Sequence, residues 1–203
     1  MKRSLIVALT LFALLCSSQA MAIDDARPYF SIGGGLSKMK GASISDLNDP
    51  GITRISTDLG YNGLIAGGYA WDVGRLEFSG GVLYQEIDQL NINANWTDVE
   101  GEITVYHLLM SIFYDFNKDG MVSPYFGGGI GAARLNLNTN ALSGNDATTF
   151  AYQLGAGFTL NTSDDFVIDF GYRLLGTNNL DFGETKADFF VFQNVNVGLR
   201  WLY

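Results

Sequence analysis

Cysteine, histidine, proline and positive charge are all scarce in this chain of 203 residues. The one cysteine, Cys16, falls inside an apolar N-terminal stretch, so the rest of the chain has neither disulfides nor thiolate chemistry available to it. Lys and Arg number 12 against 21 Asp and Glu. That balance excludes a nucleic-acid role, which needs clustered cations against phosphates. Beyond the N-terminus no apolar run is long enough for a membrane-spanning helix. Three prolines against 25 glycines favour many short elements joined by turns over a helical bundle.

The N-terminus itself reads as a secretory signal. Lys2 and Arg3 precede an apolar core, Leu5 to Leu15, and Ala20-Met21-Ala22 supplies a small-residue cleavage pattern. Leu15 directly before Cys16 argues against lipidation, since a lipobox needs a small residue there. We therefore expect a cleaved segment 1–22 and one folded domain, 23–203. The mature chain would carry 10 basic and 21 acidic residues, a formal charge of 10 − 21 = −11.

What fills that domain is alternation. In Thr104 to Phe116, "TVYHLLMSIFYDF", one face reads Tyr106, Leu108, Met110, Ile112, Tyr114 and the other His107, Leu109, Ser111, Phe113, Asp115. Period-2 patterning of this kind marks strands. It recurs over roughly 29–38, 61–71, 75–89, 102–116, 124–138, 150–161, 166–176 and 189–203. Short turns at 72–74, 117–123 and 162–165 alternate with longer polar segments at 39–60, 90–101, 139–149 and 177–188. An even number of such strands, with short and long connections at opposite ends, predicts an all-β fold: an eight-stranded antiparallel up-and-down transmembrane β-barrel. Closure follows from the solvent, because lipid satisfies no backbone N–H or C=O and a sheet within it has no room for a free edge. The apolar faces then meet lipid and the charged faces the lumen. Tyr29, Trp71, Phe116, Tyr125, Phe166, Trp201 and Tyr203, near the short-turn end or the termini, are expected to form an interfacial girdle.

The C-terminal "VNVGLRWLY" resembles the assembly signal of Gram-negative outer-membrane barrels, with Val197, Leu199, Trp201 and Tyr203 alternating to the end. "PYFGGGIGAA" (124–133) and "DFGYRLL" (169–175) resemble strands five and seven of small opacity-type, OmpA/OmpX-like surface-antigen barrels. The terminal Tyr departs from that family's more usual Phe. The resemblance spans the whole mature chain and implies placement in the bacterial outer membrane as a monomer. It also implies contact with outer-membrane lipid and lipopolysaccharide, and delivery by the barrel-assembly machinery. The shared fold says little about activity.

Two constellations invite a chemical reading. "DFNKDG" (115–120) matches the opening of an EF-hand loop, but the acidic ligand required at its twelfth position falls on Phe126 and both flanks alternate as strands. The same residues suit a tight turn, and no metal site is expected. His107 shares a face with Ser111, about 13 Å away along the strand, too far for a nucleophile and its base. Lipid A deacylase barrels carry a close His-x-Ser pair that is absent here. Palmitoyl-transferring barrels begin with an amphipathic helix, for which Ile23 to Pro28 is too short. No catalytic residue and no cofactor is expected.

The lumen carries the rest. An eight-stranded barrel has an interior just wide enough for side chains. Arg75, Glu77, His107, Asp115, Arg134, Asp169, Arg173 and Arg200 are expected to point into it and to pair as a polar network. The acidic loops at 39–60, 90–101, 139–149 and 177–188 suit recognition of a host or extracellular ligand. The expected function is a non-enzymatic envelope and surface-interaction protein, adhesin- or antigen-like. The alternative is a small porin or gated channel, and less favoured is an enzyme acting on envelope lipid. "NWT" (95–97) and "NTS" (161–163) fit a glycosylation acceptor that a bacterial barrel gives no reason to credit.

Overall fold

The computed structural model describes residues 26–40, 43–46, 53–57, 59–92, 95–117, 120–139, 142–178, 180–181, 185–187 and 190–203. The expected signal segment lies outside them. Eight long strands run antiparallel: β1 (Arg27–Lys40), β4 (Gly60–Trp71), β5 (Gly74–Ile92), β6 (Asn95–Asp115), β7 (Val122–Thr139), β8 (Leu142–Asn161), β9 (Phe166–Thr177) and β12 (Val191–Leu202). Each pairs with its successor in that order, and β12 pairs back onto β1, so the sheet closes.

The register fixes the barrel's shape. Starting at Tyr29, the partners run Gly68, Glu77, Ser111, Gly129, Gln153, Leu175 and Phe192, then return to β1 at Met39. One circuit therefore climbs 39 − 29 = 10 residues. A shear of that size around eight strands tilts them by about 40° from the axis.

Polarity is inverted relative to a water-soluble barrel. Large apolar residues that alternate outward, among them Ile32, Ile65, Leu108, Ile112, Ile130 and Leu154, are all exposed. In lipid these positions are solvated by acyl chains. Two aromatic belts bound them. Near the short turns, Phe30 and Phe166 pack against Trp201, Phe116 against Phe126, and Phe158 against Phe170. At the other boundary Tyr61, Tyr84, Tyr106 and Tyr152 face outward. From Phe116 to Tyr106 is about 33 Å of strand, roughly 25 Å along the axis, which matches the apolar band of outer-membrane barrels.

Two expectations about the ends are corrected. The described residues of the segments 90–101 and 139–149 are strand, because β5 and β6 pair as far as Ile92↔Asn95 and β7 and β8 as far as Thr139↔Leu142. The segments 39–60 and 177–188 contain four further short strands: β2 (Ser43–Asp46), β3 (Thr53–Thr57), β10 (Leu180–Asp181) and β11 (Thr185–Ala187). They pair in the order β10-β11-β2-β3-β5 and carry the sheet upward. The polar composition of these segments suggested loops, although Leu90, Ile92, Ala94 and Trp96 alternate with Asn91, Asn93 and Asn95. β6, with 21 residues, rises roughly 50 Å, about twice the apolar band.

At "DFNKDG" the chain passes from β6 to β7, with Lys118 and Asp119 outside the described residues. Asn117 adopts a left-handed φ of 51°, and its carbonyl accepts from Gly120 N at 3.0 Å and from Ser123 Oγ at 2.9 Å. Phe126, where a calcium loop needs its acid, is an exposed residue of β7.

Candidate functional site: the sealed lumen

Inward-facing side chains fill the lower third of the barrel with ions of both signs. Arg75 and Glu77 come from β5, Asp115 from β6, Asp169 and Arg173 from β9, and Arg200 from β12, each buried or nearly so. Arg75 pairs with Asp115 and reaches toward Asp169 at 3.7 Å. Arg200 pairs with Asp169, and Arg173 pairs with Glu77 at 2.8 Å. Three arginines face three carboxylates, so the set is electrically balanced. Balance matters because a single unpaired ion in this setting is strongly destabilising.

Two tyrosines complete the network. Tyr125 on β7 donates from its hydroxyl to Asp169 Oδ1 at 2.7 Å, and Tyr29 on β1 donates to Glu77 Oε2 at 3.2 Å. Both were expected in the outer girdle, yet both are buried in the lumen. Their rings also meet cations: the Arg75 guanidinium lies 4.3 Å from the Tyr125 ring centroid and 4.5 Å from that of Phe113. Arg200 stands 5.2 Å over Tyr29, and Arg173 stands 5.3 Å over Phe113. Such contacts add to the ion pairs when water is excluded.

Glycines make the room. A Cβ on Gly127 would lie 2.6 Å from Phe113 Cδ1, and one on Gly157 or Gly171 would lie 2.7 Å or 2.5 Å from the Tyr125 hydroxyl. Glycines of three adjacent strands, Gly127 on β7, Gly157 on β8 and Gly171 on β9, thus form a socket for the Phe113 and Tyr125 rings that stack on Arg75.

Arg134 does not join. On β7 it is the odd-numbered residues, such as Ser123, Tyr125, Ala133 and Leu135, that are buried, so Arg134 faces outward and pairs with Asp146 on the outer wall. Apart from Ile130, the residues of 127–133 are small on both faces, which hides the polarity by which the inward side is recognised elsewhere.

His107 points inward but stands above the ion pairs. Its ring occupies space left by Gly81, where a Cβ would come within 2.5 Å of Cε1. Ser111 Oγ accepts from Gln153 Nε2 at 3.3 Å, so its contact is with an amide. His107, Asn62, Gln153, Asn194 and Asn196 line a void of about 20 Å³, and a second of about 20 Å³ lies beside it against Glu77, Asp169 and Arg200. His107 Nδ1, Asn62 Nδ2, Asn194 Oδ1 and Asn196 Oδ1 have no protein partner. Each void has the size and polar lining that hold a single water.

Above this polar waist the lumen turns apolar. Met39, Leu83, Val105, Leu135, Leu175 and Phe192 form one packed cluster. Periodicity placed several of them inward, but it did not show that they gather at one level. The barrel is therefore filled in three layers: ion pairs below, a polar waist, and an apolar cap. Among the described residues no group of three or more His, Cys, Asp or Glu is placed to hold a metal ion.

At the C-terminus, Val197 and Leu199 face lipid and Trp201 packs on Phe30 and Phe166. Tyr203 N donates to Pro28 O at 2.9 Å, tying the end of the chain to the start of β1.

A family model described as the outer membrane protein beta-barrel domain matches residues 8–201. A putative adhesin of Rickettsia felis is 22% identical over 221 residues, covering 99% of this chain and 94% of that protein. An uncharacterized protein of Brucella abortus is 29% identical over 99 residues, 42% of this chain. That match spans only 34% of the Brucella protein. Among solved structures, Neisserial surface protein A superposes with a TM-score of 0.56 at 16% identity, covering 86% of this chain and 97% of that one. OprG from Pseudomonas aeruginosa gives 0.53 at 13% identity, covering 85% and 95%. At these identities the likeness is one of fold.

Proposed function

The chain belongs to the outer membrane protein beta-barrel family and resides in the bacterial outer membrane, and from that premise we propose that it is a non-enzymatic surface protein whose tall rim binds an extracellular or host ligand. The observation that carries this reading is the excess length of the strands. Spanning lipid needs about 9–11 residues per strand, whereas β5, β6, β7 and β8 have 19, 21, 18 and 20. The surplus is paired sheet held above the membrane, a rigid platform of the kind recognition surfaces use. The full-length likeness to a putative adhesin of Rickettsia felis supports it. The filled lumen supports it too, since such an interior leaves no open path for solute.

The test is display of the barrel on cells, intact and with the β5–β6 hairpin shortened by removing residues 88–99. Intact barrels should raise adherence to host cells or matrix over empty cells, and shortened ones should not. Equal adherence by all three would end the adhesion reading. A second reading, a gated channel, is favoured by the two waist voids and by Arg75 lying between Asp115 and Asp169. Discrete conductance steps in planar bilayers would support it.

A further inference from the structure

Cations are distributed unevenly over the outer wall. Of the basic residues whose side chains the structure describes, Arg75, Arg173 and Arg200 are in the lumen, and Arg27 pairs with Asp165 at the short-turn end. The remaining three, Lys38, Lys40 and Arg134, all face outward at or just above the tyrosine belt. Arg134, opposite Tyr106 in register, is already engaged by Asp146. Lys38 and Lys40 differ. Both are exposed, two residues apart on one face of β1, so their stems emerge about 7 Å apart.

Their surroundings suit an amphiphile. On β12 their register partners are Gln193 and Val191; on the other side stand Tyr61 of β4 and Leu59 just before it, both exposed. None of these is acidic. Directly below, Leu36 pairs with Tyr61, and below that Gly34 pairs with Gly63 on the outer face. A Cβ on Gly63 would meet only Val82 Cγ1 at 3.8 Å, so the wall is hollowed there. From Gly34 to Lys38 is about 13 Å of strand. Two cations thus stand at headgroup level over an apolar track that dips into the membrane.

We propose that Lys38 and Lys40, with Tyr61 and Leu36 beneath them, bind the phosphate-bearing headgroup of an outer-leaflet lipid, one acyl chain lying along Leu36 and the Gly34–Gly63 hollow. The site rests on membrane placement alone and is independent of the adhesion reading. Two ammonium groups near one surface attract anionic lipid additively. A soluble anion would leave the exposed Leu36 and Leu59 beside the two ammonium groups unused, whereas a lipid covers them.

The test is native mass spectrometry of the refolded mature barrel in detergent, titrated with lipopolysaccharide lacking O-antigen. Unaltered protein should retain one lipid. K38Q/K40Q should weaken retention by about tenfold or more, while K38R/K40R should keep it and R134Q should leave it unchanged. Migration that changes on boiling shows that each variant is folded. Equal retention by K38Q/K40Q overturns the site. So does displacement by millimolar inorganic phosphate, which would make it a pocket for a free anion.

Discussion

Arg173 Nη1 donates to Glu77 Oε1 at 2.8 Å, joining two strands 96 residues apart in sequence and diametrically opposite in the barrel. Around the sheet β5 and β9 are separated by β6, β7 and β8 on one side and by β4, β1 and β12 on the other. The pair is thus a strut across the lumen. It holds the cross-section while the ladders hold the wall.

Removing one end of that strut should be costly. Glu77→Ala strands the Arg173 guanidinium and should destabilise the barrel by about 3–5 kcal/mol. Glu77→Leu with Arg173→Met should cost clearly less than the sum of the single changes. Urea unfolding in lipid vesicles measures both, and strict additivity would show that the two residues act separately.

Tyr125 makes two separable contributions. Tyr125→Phe loses the hydrogen bond to Asp169 but keeps the ring beside Arg75, and should cost about 1–2 kcal/mol. Tyr125→Leu also loses the cation–ring contact and should cost more, by about 1 kcal/mol. Equal losses in the two variants would place the whole effect in the hydroxyl.

Glycine tolerance should follow the wall. A Cβ on Gly127 would lie 2.1 Å from Ile112 O as well as against Phe113, so Gly127→Val should give little heat-modifiable barrel. Gly63→Ala, opening outward, should fold with normal yield. Gel migration of boiled and unboiled samples distinguishes them.

Depth should set the cost of a charge on the outer wall. Met110→Lys, in the middle of the apolar band, should destabilise by about 2–4 kcal/mol, and Thr148→Lys, above the tyrosine belt, by about 0–1 kcal/mol. If the two cost the same, the band has been placed at the wrong level.

His107→Leu should cost no more than about 1 kcal/mol, because Nδ1 has no protein partner whose hydrogen bond the change would break. A large loss in thermal melting would reveal a water or partner bound in the waist.

Most of the barrel was readable along the chain. From Thr104 onward in β6, and along β9 and β12, one face is almost wholly apolar and the charged residues all fall on the other, so inside and outside follow from alternation. β7 was different. Gly127, Gly128, Gly129 and Gly131 leave Ile130 as the one large residue between Phe126 and Arg134, and the two flanking signals, Tyr125 and Arg134, each suggested the wrong side. Tyr125 looked interfacial because it is aromatic and near a turn; Arg134 looked luminal because it is charged. The upper strands are hidden for another reason: their Asn-, Asp- and Thr-rich composition reads as loop even where Leu90, Ile92, Ala94 and Trp96 alternate.

By itself, then, the sequence determined the solvent of each face and hence the closed, eight-stranded, membrane-spanning wall. A period of two and the requirement that every backbone group in lipid be paired leave little alternative. Which luminal residues meet was decided only by the tertiary structure. The ten-residue shear sets how far each strand slides past the next, and that offset brings Arg173 level with Glu77, Arg200 with Asp169 and Tyr125 with Arg75. Alternation specifies direction from the wall; only closure specifies height along the axis.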